Sequence, residues 1–576
     1  MTKEAVCFIR LKEKPKMQFL PRRFYATFLA TIFLFLTANA QTNWGQYTLI
    51  APNNTSTAKL IDLSNNTYHS WTLSGATTYS AYMINGDTLL RSVTKSGNSF
   101  SGGPISGQVQ MVDWNGNVVW NYVYSTTQYC SHHDIHYMPN GNVLLIAYEA
   151  KTATDATAAG CSQAIAMWPD KIVEVQPTGP TTGNVVWEWH SWDHLMQNVD
   201  ATKANYVSNL SDHPELMNVN YKTTKDWLHM NGIDYNPVLD QIAFSSHNMN
   251  EVYVIDHSTT MAEAASHSGG NSGRGGDILY RWGNPAAYGV TTPAANFNVV
   301  HDAHWAPAGT PWANYLVGFN NNGNATVSYV DIFQPPMNGA GYVAPAAGAA
   351  YGPATYAKRV TTNGHTNNAG CSEQFPNGNM LICVAIPGYI YEIDSLGNTV
   401  WSYQNSGSVQ QAHRYTACSI LGTQPATPSI TSNGTVLNTT GGSTYQWYFN
   451  GAAISGATAA SYTATQNGSY QVQITDASGC NSELSAAVNV TDANTGIAHL
   501  MQDMPSIVPN PSSGLFELVD RKGRLYDIEV MDLQGRVVKS IRQHNHVDLS
   551  EAANGVYMLR ATLADGTYFT ARIVKN

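Results

Sequence analysis

The chain has 576 residues, too many for one compact core, so roughly two to four domains are expected. Charged residues make up 12% and aromatics 11%, which supplies packing surface at low charge and excludes a largely disordered chain. The net charge of -10, with no basic stripe interleaved with aromatics, excludes nucleic acid as a partner.

Residues 1–40 read as a targeting segment. Lys12, Lys14, Lys16, Arg22 and Arg23 precede an apolar run from Phe24 to Leu36, and Ala38-Asn39-Ala40 supplies a small-x-small cleavage site before Gln41. The run is shorter than the ~20 residues a spanning helix needs, so a cleaved signal is expected and no transmembrane segment after cleavage. Met17 is an alternative start. Cleavage removes Cys7 and leaves Cys130, Cys161, Cys371, Cys383, Cys418 and Cys480, an even set that permits disulfides in an exported chain. Cys130 with Cys161 is the expected pair, because they flank one hairpin-like excursion.

Residues 41–423 repeat a unit of short alternating strands parted by Asn-Gly and Gly-Asn turns. SAYMINGDTLLRSV begins at Ser80, HDIHYMPNGNVLLIAY at His133, MNGIDYNPVLDQIAFSS at Met230, HDAHWAPAGTPWANYLVGF at His301 and GCSEQFPNGNMLICVA at Gly370. Each is followed by a strand near "EID" or "VID", and most by a further strand carrying "VW". Four antiparallel strands per repeat predict an all-β chain with a six-bladed β-propeller. The sixth blade is shared between the start, around Tyr47 and Lys59, and the segment before Leu421, which closes the ring and removes an edge. The interval from Pro139 to Pro237 exceeds one repeat, which places an insertion around Trp189 to Asp226. Trp120, Trp187 and Trp401 are expected to pack between blades.

Residues 424–492 are rich in Ser, Thr, Gly and Ala, and contain Trp447 on one strand and N-G-S-Y-Q-V at Asn467 on another. This is the pattern of an Ig-like β-sandwich, with Val472 where the second bridging cysteine usually falls. In residues 500–576, VPNPSSG at Val508, IEVMDLQGRVV at Ile528, VDLSEAANGVYMLRA at Val547 and the terminal Lys575 resemble a type IX secretion C-terminal sorting domain, a small β-sandwich. That resemblance implies export through the periplasm to the surface or medium, with the type IX machinery as a partner.

Histidines recur at one register of the repeat. His133 and His301 both open an H-D-x-H run that ends at His136 and His304, and in the third unit Asn231 holds the same register with His229 just ahead. Equivalent positions in a propeller lie at equal depth around its axis, so these side chains should converge near the channel mouth. His247 follows in SSHN, and Arg281 in RWGNP. Trp282 and Trp305 are candidates to line a pocket for an aromatic ring.

At these residues the chain resembles the arylsulfotransferase family, over about Gln46 to Gly422. The matching pieces are HHDIHYMPNGN at His132, WLHMNGIDY at Trp227, SSHNMNEVYVID at Ser245, RWGNP at Arg281 and HDAHW at His301. The resemblance implies transfer of a sulfuryl group from an aryl sulfate to a phenol without a nucleotide donor or other cofactor, through a transiently sulfated histidine. It implies His301 as nucleophile, with His304 the alternative in the same run, and His133, His247 and Arg281 as its catalytic partners. His229, Asn231, His304 and Trp305 are the candidate substrate-binding residues. The residue types suit that chemistry. Neutral imidazole is a competent nucleophile near pH 7, and Arg and His donors match the charge on the sulfuryl oxygens. Asp302 or Asp134 could hold an imidazole tautomer. Known members carry a sandwich ahead of the propeller, whereas here the extra domains follow it.

His69, His190, His194, His213, His257 and His267 are expected to be structural, and His544 and His546 to lie on the surface. No carboxylate or cysteine stands at a familiar ligand spacing, and Arg281 would repel a cation, so no metal is expected. The GRGG run from Gly273 lacks the strand, helix and Lys of a phosphate loop. The competing function is a secreted propeller that binds glycans or mediates adhesion without catalysis, which a fold resemblance alone does not exclude.

Overall fold

The computed structural model describes residues 44–339, 341–420, 422, 425–476, 480–491 and 505–576. The expected signal segment and its cleavage site lie outside them. The chain divides into two compact units between residues 420 and 421. No described helix is long and apolar enough to cross a membrane.

The first unit begins with β1 (Tyr47–Ile50), β2 (Thr55–Asp62), β3 (Thr67–Ile84), β4 (Thr88–Thr94), β5 (Gly107–Val112) and β6 (Val118–Val123). β7 (Tyr129–Tyr137), β8 (Val143–Glu149), β9 (Asp170–Gly179) and β10 (Thr182–His190) form a four-stranded leaf. The insertion follows, with β11 (Leu195–Met196) and β12 (Met217–Asn218). The next leaf is β13 (Met230–Asn236), β14 (Gln241–Ser246), β15 (Glu251–Asp256) and β16 (Tyr280–Trp282). β17 (Val300–Trp305), β18 (Leu316–Asn320) and β19 (Tyr329–Phe333) make a leaf with β22 (Lys358–Thr361), across a small ribbon of β20 (Met337–Asn338) and β21 (Gly341–Tyr342). The last complete leaf is β23 (Cys371–Gln374), β24 (Met380–Val384), β25 (Tyr389–Ile393) and β26 (Thr399–Gln404). Finally β27 (Ala412–Tyr415) pairs with β1 in a seven-stranded sheet ordered β27-β1-β2-β3-β4-β5-β6. The long β3 pairs with β2 through its first half and with β4 through its second. That sheet is therefore two four-stranded leaves sharing β3, one built from both ends of the propeller segment.

Contacts between innermost strands run around the whole ring. Tyr82 Oη donates to Asp134 Oδ1 at 2.7 Å, joining β3 to β7. The Ile233 N–H donates to Asp134, the Trp305 N–H to Asp234, the Ser372 N–H to Asp302 and the Arg414 N–H to Glu373, at 3.3, 2.8, 2.8 and 2.8 Å. The Met83 N–H closes the circle on Tyr415 Oη at 2.9 Å. A carboxylate on one leaf thus satisfies an inner-edge N–H of the next, a group that would otherwise be buried unpaired. Between leaves the packing is apolar. Trp120 sits with Val143 and Val173, Trp187 with Ile242 and Phe244, and Trp401 with Ile50 and Ala412.

One turn chemistry recurs. Asp113 and Asp394 accept the N–H four residues on, at Asn117 and Asn398, each at 2.8 Å, with Gly116 and Gly397 at φ 89° and 91°. Only glycine takes that φ without strain. The six described cysteines are free thiols. Cys130 packs with Phe100 and Tyr148, and Cys161 with a different cluster around Ala156 and Trp189, so the expected Cys130–Cys161 bridge is not formed.

In the second unit, β28 (Thr431–Asn433), β29 (Val436–Asn438) and β32 (Ser461–Thr463) face β30 (Thr444–Phe449), β31 (Ala452–Ala453), β33 (Gly468–Thr475) and β34 (Val488–Val490). Leu437, Trp447 and Tyr470 share the core between the two sheets, and Trp447 stands opposite Val472. A further pair of sheets joins β35 (Ser506–Val508), β36 (Leu515–Val519) and β39 (His546–Asp548), and β37 (Tyr526–Met531), β38 (Val537–His544), β40 (Gly555–Thr562) and β41 (Tyr568–Lys575). Phe516, Ile528 and Leu559 fill its core.

Candidate active site

Four innermost strands slip register at the same depth. The shifts fall between Thr77 and Ala81 on β3, Ser131 and Ile135 on β7, Met230 and Gly232 on β13, and His301 and His304 on β17. A bulge re-aims side chains out of the pleat, here where the histidines stand. His133, His229 and Asp302 take φ of 52°, 53° and 59°, left-handed values costing about 1–3 kcal/mol each in non-glycine residues. Such strain persists only where the surroundings enforce it.

The result is a run of imidazoles from three leaves. Ring centroids lie 4.6 Å apart for His133 and His229, 4.9 Å for His229 and His247, and 5.8 Å for His247 and His301. Tyr79, from the bulge of β3, meets the His133 ring edge-on at 5.2 Å. His133 and His301 are buried, and His229 and His247 are half-buried.

Each ring is anchored through Nδ1. His301 Nδ1 donates to Asn321 Oδ1 at 2.7 Å, and the Asn321 amide spends its own donors on the Thr366 and Ala369 carbonyls. That leaves His301 Nε2 as the lone-pair nitrogen, met at 3.2 Å by the Ala369 N–H. His229 Nδ1 pairs with Asp226 Oδ2 at 2.7 Å, and His247 Nδ1 lies 2.9 Å from Asn248 Oδ1. His133 Nδ1 lies 2.6 Å from His132 Nδ1, and His132 Nε2 lies 2.7 Å from Asp170 Oδ1, off the N–H line. Asp170, His132 and His133 thus form a buried carboxyl–imidazole–imidazole chain that ends at the cluster.

Burial, then the neighbouring imidazoles, pushes His133 well below the ordinary histidine value. Burial, then His247, does the same to His301. His247 is also lowered, by burial first and then His229, with Lys222 adding to the effect. Burial raises Asp170 well above the usual carboxyl range. His133, His247 and His301 are therefore neutral imidazoles at neutral pH, and behind His133 stands a carboxyl that holds its proton more tightly than usual.

The other expected site residues lie elsewhere. Arg281 stands on β16, the outermost strand of its leaf, and is 1% exposed. Its guanidinium is bidentate to Glu251, donates to the Leu216 carbonyl at 2.9 Å, and stacks on Tyr288. With its donors spent there, the structure does not bring it to the histidines, and no sulfuryl-binding role is retained for it. The Asn231 side chain donates to the Val300 carbonyl at 2.8 Å and accepts from Ser245, so it ties β13 to β17 rather than facing a substrate. His304 and Trp305 line a separate cavity of about 420 Å³ with Asp134, His136, Glu373 and His413, which none of the four clustered histidines lines. Burial opposes protonation of His304, but the carboxylates of Asp302 and Asp234 raise it to about 10. Trp282 is buried in the core beside Phe333.

Sequence reasoning missed Asp170, Asp226, Asn321, Tyr79 and the part His132 plays. The His132-His133 doublet and the i, i+3 pair Asp226 and His229 carried a signal. Tyr79, Asp170 and Asn321 carried none.

Residues 71–328 match the family described as arylsulfotransferase (ASST), and residues 506–576 match the secretion system C-terminal sorting domain. No curated protein matches the chain. Among solved structures, the chain is similar to a protein of unknown function from Bacteroides caccae, with a TM-score of 0.37 and 12% identity over 64% of this chain and 98% of that one. It is also similar to the periplasmic gluconolactonase of Pseudomonas aeruginosa, with a TM-score of 0.32 and 9% identity over 77% and 96% of the two chains.

Proposed function

We propose that this chain, which carries an arylsulfotransferase-family domain over residues 71–328 and a secretion sorting domain over residues 506–576, is an exported sulfotransferase moving a sulfuryl group from a phenolic sulfate ester to a phenol through a sulfohistidine. The observation that carries this reading is the convergence of His133, His229, His247 and His301 from three leaves, all inside the family segment, with ring spacings of 4.6 to 5.8 Å. No nucleotide is required.

In the first half-reaction His301 Nε2 attacks sulfur. The N–S bond forms, the ester S–O bond breaks, and the leaving phenolate takes a proton from His133 Nε2. In the second half the acceptor phenol attacks the sulfohistidine, loses its proton, and restores free His301. Covalent capture splits one difficult displacement into two. Asn321 holds the His301 tautomer that exposes Nε2, and the long Ala369 contact yields on attack. His133 is the acid and the base. In the first half it acts as acid, and the proton it gives up is replaced through His132 from the Asp170 carboxyl, whose hold on a proton burial raises, once the 2.7 Å His132–Asp170 pair turns into line; in the second half the proton taken from the acceptor phenol returns by the same path. His229 and His247 border the space where the sulfuryl oxygens would lie.

The test is an aryl sulfate donor and a phenol acceptor with the purified protein, read by turnover and by intact mass after donor alone. A gain of one sulfuryl group, absent in His301→Ala, is expected. Neither turnover nor adduct over a panel of aryl sulfates would leave a non-catalytic binding or adhesion propeller as the better account.

A further inference from the structure

Away from the histidine cluster, three side chains meet at the base of the insertion. His194 ends the turn Ser191–His194. His267 and Asp277 lie in the glycine-rich stretch that joins the short helix Met261–Ala264 to β16. His194 Nδ1 lies 2.9 Å from Asp277 Oδ1, and His267 Nδ1 lies 2.7 Å from the same oxygen. One ligand atom from each residue falls within 4.8 Å of the others. His194 is fully buried against the parallel ring of Trp189, whereas His267 is exposed.

Two imidazole nitrogens from separate segments converge on one oxygen of Asp277. His194 Nε2 lies 2.9 Å from the Ala264 carbonyl, which can only accept, so Nε2 carries a proton and Nδ1 is the nitrogen free to bind. Between that Nδ1 and the carboxylate oxygen there is a place for one positive centre, a proton or a metal ion, and a second imidazole nitrogen reaches the same oxygen. A cation among the three atoms would convert these contacts into bonds. In a tetrahedral zinc site with bonds of about 2.0 Å, ligand atoms stand about 3.3 Å apart, so each nitrogen need draw back from the Asp277 oxygen by only a few tenths of an ångström. The Ala264 carbonyl supplies the outer partner that fixes the ring and tautomer of a ligating histidine. The exposed side, at His267, leaves a route in and a position for water.

We propose that His194, His267 and Asp277 bind a divalent transition-metal ion of the zinc class. Two imidazoles and one carboxylate favour such an ion over magnesium or calcium. The ion ties the first turn of the insertion to the glycine-rich loop, and the same insertion delivers Asp226 to His229. Its role is structural, and it stands apart from the transfer chemistry.

The test uses the chelator-treated, full-length protein in a His544→Ala, His546→Ala background, which removes an exposed histidine pair. Zinc sulfate is titrated by calorimetry, and cobalt(II) by visible absorption. The parent should take up one more equivalent than His267→Ala and Asp277→Asn. Affinity at the site should fall by at least the about 10- to 100-fold that loss of even an outer-shell partner costs. Zinc should raise the melting temperature of the parent and not of His267→Ala, while the two metal-free proteins melt together. Equal stoichiometry and affinity in the parent and His267→Ala would overturn the site, as would a cobalt spectrum unchanged between them.

Discussion

At the scale of single residues, burial decides which side chains can do chemistry. His133 and His301 are held below the ordinary value of about 6.5 because a buried imidazolium is poorly solvated. Protonation would destroy both nucleophile and base, and these rings take a proton only at more acid pH. The acid limb of kcat/KM is therefore expected below about 6.5. A pH–rate profile falling at or above that value would contradict neutral, buried imidazoles as the working groups. Asp170→Asn removes the far end of the relay, so kcat should drop by about 100-fold with the adduct on His301 still detectable. Arg281 is governed by burial too. Cutting it to Ala strands Glu251 and should cost about 3–5 kcal/mol of stability. The paired change Arg281→Met with Glu251→Leu removes both charges and should keep the fold and the turnover. A folded double variant without activity, judged by near-ultraviolet circular dichroism and assay, would return Arg281 to the site.

At the scale of elements, the inner strands serve two ends. Their carboxylates lock each leaf to the next, and their bulges turn histidines toward one another. Asp234→Ala should leave the Trp305 N–H without a partner and lower stability by about 1–3 kcal/mol, whereas Asp234→Asn keeps an acceptor and should cost less. Urea midpoints measure both, and equal losses would deny the lock. The strands themselves were legible, because Asn-Gly turns and Asp-x-x-Gly-Asn loops write hairpins into local sequence. The shared H-D-x-H register of His133 and His301 was legible for the same reason, since repeats place equal positions at equal depth. The bulges were not. A register slip depends on the partner strand, so local sequence put His229 just ahead of the shared register and Asn231 on it, whereas the fold puts His229 in the cluster and Asn231 between strands. The contiguity of RWGNP also hid the distance between an outermost strand, where Arg281 lies, and the inner ring that carries the histidines.

At the scale of the whole molecule, closure and export are separable. Among the described residues, the apolar clusters of the propeller unit draw on none beyond Ile420, and β27 gives the ring its last inner strand beside β1. A chain ending at Ile420 should thus retain the unfolding transition and the turnover of the propeller unit. A chain ending at Val409 lacks β27, exposes the edge of β1, and loses the Arg414 N–H that Glu373 accepts. Exposed edges invite pairing with other chains, so that protein should aggregate or unfold at a lower temperature. The sorting domain acts on location instead. Removing residues 506–576 should leave the transferase active in cell extracts while abolishing its appearance on the surface or in the medium. Fractionated activity measures both at once. If export persisted without this domain, the resemblance of the segment to a sorting signal would carry no function here. If activity vanished with it, catalysis would depend on more than the ring, because the four histidines all stand in or beside strands of the first unit, which ends at residue 420.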